Sequence, residues 1–582
     1  MINLENEDGS FDYHKMIRSA GGIYRLTIKG DLLNRKYRYR IENGGVKRET
    51  NDIYGKGVSL NSEYSVVVDQ NEIYSYPFVN ATRENELLKS VIYETNVRDF
   101  TESKGTNIVN RGKYPGFVEA NRKTRKGNPA GLDYLKHIGI THVQLNPILD
   151  FRGVDDLKVS ASYNWGYDPI SFFAIEGSYS TNPNDAMHRI KEFQDMVNEL
   201  HKNNIRVVVD VVYNHIYEWQ TSVLEKTVPG FFFRRNKRGQ ITSSSGCGND
   251  INSNRPMVRK LIVDSAKYLV RAFNIDGFRF DLMGLLDVET LLELEKECRK
   301  IKKDLIFYGE GWNMPVDIPF IDKACSENAN RLPNFAFFND AYRDIVKGPS
   351  FSDKIRDKGY INGNVDYHFG ADYALHGTVL NHSYEAKFSK AHQSLNYVEC
   401  HDNNTLYDKL CLSNAEEDEN TILRRINLAN AFLLFSFGVP FIHQGQEIGA
   451  SKEGHGNTYN EVKINNMRWD LVDERMEMVN YFKSLVFMRL NKLPHLFLDS
   501  PEDIEKVYTV TQWDNGVLCL ESSNRELLQD YSNLMLLINP TNSSQMYTDE
   551  DYMSLLTLDK KCVMQTRNGL VPPTYISVYF RK

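Results

Sequence analysis

Asp276-Gly277-Phe278-Arg279-Phe280-Asp281 is the stretch that decides the fold. It is short, apolar in its middle and acidic at both ends. Read as a strand, it turns Arg279 and Asp281, two residues apart, to one face. Similar segments flank it: Asp210-Val211-Val212-Tyr213-Asn214-His215 upstream, Tyr308-Gly309-Glu310-Gly311-Trp312 downstream, and His401-Asp402-Asn403 further on. Three carboxylates, two histidines and an arginine therefore stand at the ends of short apolar runs spread along the middle of the chain. A parallel β/α barrel places its working groups in this way, at the C-terminal ends of successive strands.

The rest of the chain agrees with that architecture. From about residue 90, apolar runs alternate with amphipathic helices. Strands are expected at 91–94, 141–145, 205–210, 276–281, 305–309, 335–338, 396–400 and 439–442. A helix is expected over 185–203, where Met187, Ile190, Phe193, Val197 and Leu200 form a stripe at helical spacing. A segment rich in Gly, Ser and Asn, 216–255, interrupts the rhythm after the third strand. Residues 1–88 read as β, with period-two alternation at 22–28 and 36–41, and the pattern returns to β after 495. The expected fold class is α/β: a (β/α)8 TIM barrel over 89–494, flanked by an N-terminal partial β-sandwich (1–88) and a C-terminal β-sandwich (495–582).

Composition narrows the functional classes. The 582 residues exceed one ordinary domain, and 41% hydrophobic content supplies sizeable cores. A net charge of −7 leaves no surplus of Lys and Arg to neutralise phosphates, so nucleic acid is not an expected partner. Seven cysteines, with no Cys-x-x-Cys pair, indicate neither a disulfide framework nor a zinc site. No apolar run approaches the ~18 residues of a membrane span. The polar start, Met1-Ile2-Asn3-Leu4-Glu5, is not a signal peptide. No membrane partner is expected, and the chain as given reads as soluble and cytoplasmic.

The four segments resemble the four short sequence regions of the α-amylase superfamily, glycoside hydrolase family 13. Tyr163-Asn164-Trp165-Gly166-Tyr167-Asp168-Pro169 is narrower and resembles the signature of type I pullulanases, which cut α-1,6 links in branched α-glucans. The similarity runs from about residue 20 to the C-terminus. It implies catalysis by a pair of carboxyl groups: Asp281 as nucleophile, Glu310 as general acid and then base, and Asp402 as the third carboxylate that stabilises the transition state. It implies that His215 and His401 bond hydroxyls of the cleaved glucose, that Tyr167 stacks under it, and that Asp210 orients Arg279. Tyr163, Asn164 and Trp165 join the substrate-binding set, with Trp312 as an apolar wall beside Glu310. Arg279 beside Asp281 favours the charged carboxylate.

The chemistry needs no cofactor. No Asp-rich loop of EF-hand type marks a metal site, and a structural calcium is left open. Two departures stand out. Glu399 occupies a position where a small residue is commoner and reads as a solvated or ion-paired side chain. The loop 457–463 lacks the family's usual Ser-Pro-Asp. The opening strands of the usual N-terminal module, with their Trp-Ala-Pro motif, are also absent. An incomplete sheet exposes an edge, through which self-association is expected.

Overall fold

The computed structural model describes residues 1–351, 353–382, 384–461, 463–512, 515–528, 533–547, 553–556, 569–571 and 573–581. The N-terminal part is one antiparallel sheet. Strands β1 (Ile2–Glu5), β2 (Phe11–His14), β5 (Lys36–Asn43), β6 (Val46–Thr50), β7 (Gly57–Val58) and β8 (Ser65–Val66) run in the order β2-β1-β5-β8-β7, with β6 paired to β5. The partial sandwich is thus a single layer, with β2 at its edge. The polar first residues form β1 between β2 and β5. The alternating stretch 22–28 contributes only β4 (Tyr24–Arg25), paired with β3 (Ile17–Arg18) in a ribbon on which Ile17, Ile23 and Tyr24 stay exposed. With no layer to bury one face, alternation there does not lengthen the strand.

Eight parallel strands close the barrel: β9 (Ile92–Thr95), β10 (His142–Leu145), β11 (Arg206–Val211), β12 (Gly277–Phe280), β13 (Ile306–Gly309), β14 (Phe335–Phe338), β15 (Ser394–Asn396) and β16 (Val439–His443), which pairs back to β9. Nearly every residue in them is buried. Both faces are covered, which is why they read as continuous apolar runs. The seventh strand is a correction: it spans 394–396 rather than 396–400, so His401 and Asp402 sit on the loop beyond it. The helix expected at 185–203 is Ala186–Lys202, started by Asp185, whose carboxylate accepts the amides of Met187 and His188. The insertion after β11 holds one short helix, Val223–Thr227, and folds back on its own base. The Asn249 side chain accepts the Ile216 amide at 3.1 Å and donates to its carbonyl at 2.6 Å.

The C-terminal part is a five-stranded antiparallel sheet: β17 (Thr509–Gln512), β18 (Leu518–Ser522), β19 (Asn533–Asn539), β21 (Met553–Leu556) and β23 (Tyr575–Arg581), in the order β17-β18-β19-β23-β21. A ribbon of β20 (Gln545–Tyr547) and β22 (Gly569–Val571) accompanies it. It packs on the outside of the barrel: Arg425 reaches the Pro540 carbonyl at 3.1 Å and the Tyr360 hydroxyl donates to Gly516 at 2.9 Å. The N-terminal sheet docks more locally. Asn61 and Asp156 exchange two hydrogen bonds of 2.9 and 3.0 Å, and Ser62 donates to Asp150. Burial and neighbouring carboxylates push Asp150 up to about 7, so its proton is retained well above the usual carboxylate range.

At the N-terminal end of the barrel, fully buried Asp276 ties three elements together. Its carboxylate meets Arg206 at 2.6 Å, Lys302 at 2.8 Å, His201 at 2.6 Å and the Val207 amide at 2.8 Å. Burial opposes ionisation, but His201 and Lys302 outweigh it and hold Asp276 far below the ordinary carboxylate value. Its stabilisation is therefore present above the unfolded value near 4 and is lost as pH falls toward the depressed folded value. Asp276→Ala is expected to cost about 3–5 kcal/mol by leaving buried cations unpaired, read as a lowered urea midpoint of the barrel. A loss below about 1 kcal/mol, the scale of an exposed pair, would refute this account.

Candidate active site

Register builds the centre of the site. Asp210 on β11 and Arg279 on β12 are Cα partners, so their side chains lie side by side. Arg279, 1% exposed, then acts as a hub. Its Nη1 contacts Asp210 at 3.0 Å and Asp281 at 3.1 Å, and its Nη2 contacts Glu310 at 2.7 Å. A planar, permanently charged fork with five N–H donors is suited to facing three carboxylates at once. Asp281 is held from the other side by Asn214, whose Nδ2 donates to its carboxylate at 2.7 Å and its carbonyl at 2.8 Å.

Glu310 lies just beyond β13. After Asp281 the chain turns through Leu282 at φ 39°, ψ 50°, left-handed for a branched residue, and this turn aims the Leu282 amide at Glu310 Oε2, 2.9 Å away. Such a backbone costs on the order of 1–2 kcal/mol and is a form of strain that clusters at functional sites. Burial raises Glu310, Arg279 opposes, and Asp281 and Asp402 add to the rise; the carboxyl is pushed up to about 7. Trp312 stands half-buried two residues on.

His401 and Asp402 occupy the loop after β15. Glu94, at the end of β9, grips His401 twice, accepting its backbone amide at 2.9 Å and its Nδ1 at 2.7 Å. Burial works against the imidazolium, but Glu94 and then Asp402 outweigh it and raise His401 to about 9. Glu94 is lowered to about 2 despite its burial, chiefly by His401. The Asp402 side chain is half-exposed, with His401 Nε2 at 3.8 Å, and Asn403 turns the loop at φ 63°. Lys452 fixes the loop by donating to the His401 carbonyl at 2.7 Å.

Tyr167 joins these groups: its hydroxyl donates to Asp210 at 2.7 Å and its ring stacks on His401 at 4.7 Å and 13°. His215 reaches the site, but both ring nitrogens already face acceptors, Asn214 Oδ1 at 2.6 Å and the Tyr167 carbonyl at 2.9 Å. It positions Asn214 and Tyr167 here. Tyr163 is buried with its hydroxyl on Asp99, and Asn164 bonds Asp168 and the Gly166 amide. Trp165 is 5% exposed, packed edge-on to His401 with Lys452 across its ring. In this structure the three are engaged with protein partners and shape the loop from behind. Glu399 is not solvated: at 2% exposure it pairs with His443 at 2.8 Å and accepts the Leu406 amide at 2.6 Å, bracketing the loop that carries Asp402. Glu94, Asn214, Lys452 and His443 are site residues that the sequence reading missed, whereas Glu399 was singled out there and its ion-paired alternative holds. Of those missed, only Asn214 carried a signal, its place within the Asp210–His215 segment.

With this geometry in place, comparison with known proteins is informative. Residues 97–245 match the α-amylase catalytic domain family. The chain is 39% identical over 510 residues to the pullulanase of Bacillus subtilis strain 168, covering 87% of this chain and 70% of that one. The chain belongs to the pullulanase family. Pullulanase A of Streptococcus pneumoniae is 31% identical over 472 residues, of which the match spans 74% of this chain and 34% of the relative. Among solved members of the pullulanase family, the type I pullulanase of B. subtilis str. 168 complexed with maltose superposes with a TM-score of 0.95 at 34% identity, covering all of this chain and 82% of the other. The pullulanase of Anoxybacillus sp. LM18-11 complexed with maltotetraose gives 0.95 at 32% identity, covering all of this chain and 84% of the other. The flanking antiparallel sheets and the closed barrel are thus those of the pullulanase family.

The His401 environment is directly measurable. Glu94→Gln removes the main opposing charge, so the His401 titration followed by NMR is expected to fall from about 9 toward or below the ordinary histidine value near 6.5, since burial remains. An unchanged titration would dissociate the two residues.

Proposed function

We propose that the chain hydrolyses α-1,6-glucosidic branch links in α-glucans such as pullulan, limit dextrins or glycogen, with retention of anomeric configuration. The observation that carries this reading is the Arg279 fork. It holds Asp281 and Glu310 on one group, while burial keeps the Glu310 proton available near neutrality. Retaining hydrolysis asks for this pair of unlike carboxyls.

In the first step Glu310 gives its proton to the glycosidic oxygen as Asp281 attacks the anomeric carbon. The C–O bond to the branch breaks and a covalent glucosyl–Asp281 ester forms. In the second step Glu310, now ionised, takes a proton from water; the hydroxide adds to the anomeric carbon and Asp281 leaves. Asp402, exposed at the rim, binds hydroxyls of the same glucose, and Tyr167 and Trp312 offer rings to its apolar face. Membership of the pullulanase family and the signature loop around Tyr167 favour the α-1,6 bond over the α-1,4 bond.

Maltotriose is the expected sole product from pullulan, resolved by chromatography, and Asp281→Asn is expected to lower its release by a factor on the order of 10⁶, the scale seen when a hydrolase loses its nucleophile. Panose or isopanose as products would reassign the enzyme to α-1,4 bonds. Because the acid must carry its proton, kcat is also expected to fall as pH rises past about 7, by tenfold per unit well above it. A rate unchanged between pH 6 and pH 9 would remove Glu310 from the acid role.

A further inference from the structure

Three basic side chains converge behind the loop that carries Asp402. Arg343 and Lys347 stand four apart on the helix Asp340–Lys347, so they share a face. Lys409 comes from the helix Leu406–Ser413, into which the Asp402 loop leads. All three are buried, at 8%, 3% and 0% exposure. The segment between Gly348 and Gly359 brings them together. A Cβ added at Gly348 would fall 2.2 Å from the Asp357 carbonyl, and Lys409 Nζ donates to that same carbonyl at 2.7 Å. Asn362 ties the two helix ends, donating to the Lys347 carbonyl and to Ser413 Oγ, each at 3.0 Å.

The three cations are not equally provided for. Arg343 pairs with Asp344 at 2.6 Å and donates to the Tyr397 hydroxyl at 2.8 Å. Lys409 spends its ammonium on the carbonyls of Ile355 and Asp357. Among the described residues the Lys347 ammonium makes no hydrogen bond and no ion pair. Glu399 favours its charge from a distance, but that carboxylate is committed to His443 at 2.8 Å and the Leu406 amide at 2.6 Å. Burial, helped by Arg343, lowers Lys347 to about 8, which leaves it mostly charged at neutrality. Three residues on, Ser350 Oγ is a second buried group with no hydrogen-bond partner. A buried charge is tolerated when something of opposite sign pairs with it.

We propose that Lys347 and Ser350 form a site for a small monovalent anion, chloride in kind, behind the Asp402 loop. The donor set argues for that charge and size. One uncompensated ammonium matches one negative charge. A phosphate or sulfate dianion asks for two, and Arg343 and Lys409 are already occupied. A single-atom ion also sets no orientation of its own, so one ammonium and one hydroxyl suffice to hold it. None of Asp281, Glu310 and Arg279 contributes to the site, and the proposal does not rest on the catalytic reading above.

The test is the line width of the chloride NMR signal with the unmutated chain added. Broadening is expected to exceed that with Lys347→Met several-fold, and Lys347→Arg, which keeps the charge, is expected to retain it. Met fills the place of the lysine stem, and a partnerless ammonium is not a contact that the fold needs, so this variant is expected to fold. Sulfate at equal ionic strength is expected to leave the broadening in place. Crystals of the unmutated chain soaked in bromide give a readout free of folding effects, with an anomalous signal expected beside Lys347 Nζ. Equal broadening by the unmutated chain and Lys347→Met, loss of the difference in sulfate, or no bromide beside Lys347 overturns the proposal. Failure to cleave pullulan with chloride still bound overturns the catalytic reading alone.

Discussion

The buried guanidinium of Arg279 is the constraint on which the site depends. A charge so deeply buried is tolerable only when paired and hydrogen-bonded, and here three carboxylates supply the pairing. The dependence runs both ways. Asp281 and Glu310 meet on the same guanidinium, which opposes the burial that pushes Glu310 up to about 7. Removing the guanidinium would leave Asp210, Asp281 and Glu310 to repel one another. Replacement by Lys would retain the charge but lose the planar fork that spans Asp210, Asp281 and Glu310.

A second buried pair repeats this logic one layer out. Glu94 and His401 are both ionised at neutrality because each lowers the cost of burying the other. The pair joins the first strand of the barrel to the loop after the seventh, so Asp402 is located by barrel closure itself. Tyr167 couples the two layers, stacked on His401 and bonded to Asp210. Lys452 and the Glu399–His443 pair clamp the same loop from the eighth strand's side. Asp402 can therefore be exposed while its backbone stays fixed.

Much of this was legible in the sequence, for identifiable reasons. Parallel barrel strands are buried on both faces, so Val207-Val208-Val209 and Phe335–Phe338 announce themselves as apolar runs. The seventh strand was placed too late, at 396–400, because Ser394 and Asn396 are polar. They are buried through hydrogen bonds to each other, to Asn339 and to the Phe437 carbonyl, none visible in a local pattern. Arg279, Asp281 and Glu310 stood out as charged residues within two short, otherwise apolar segments. Glu94 was missed because its partner lies 307 residues away. The signature motif shows which rings are present, not which partners packing gives them: Tyr163 bonds Asp99, Trp165 packs on His401 and Tyr167 bonds Asp210.

Strand β12 shows how stability and function are kept apart within one hexapeptide. Asp276 enters it and Asp281 leaves it, the same residue type five positions apart. At the lower end Asp276 is closed off from water by Arg206, His201 and Lys302, all its acceptor capacity spent on protein. At the upper end Asp281 is held by Arg279 and Asn214, yet the side chain stays partly open to solvent. A carboxylate with every partner supplied by the fold can only stabilise it. One with part of its surface open keeps acceptor capacity for a bound molecule. The rise of the strand carries the chain from the first environment to the second, so the barrel can bear the strain of Leu282 and the crowded carboxylates at one end because the other end is tied down.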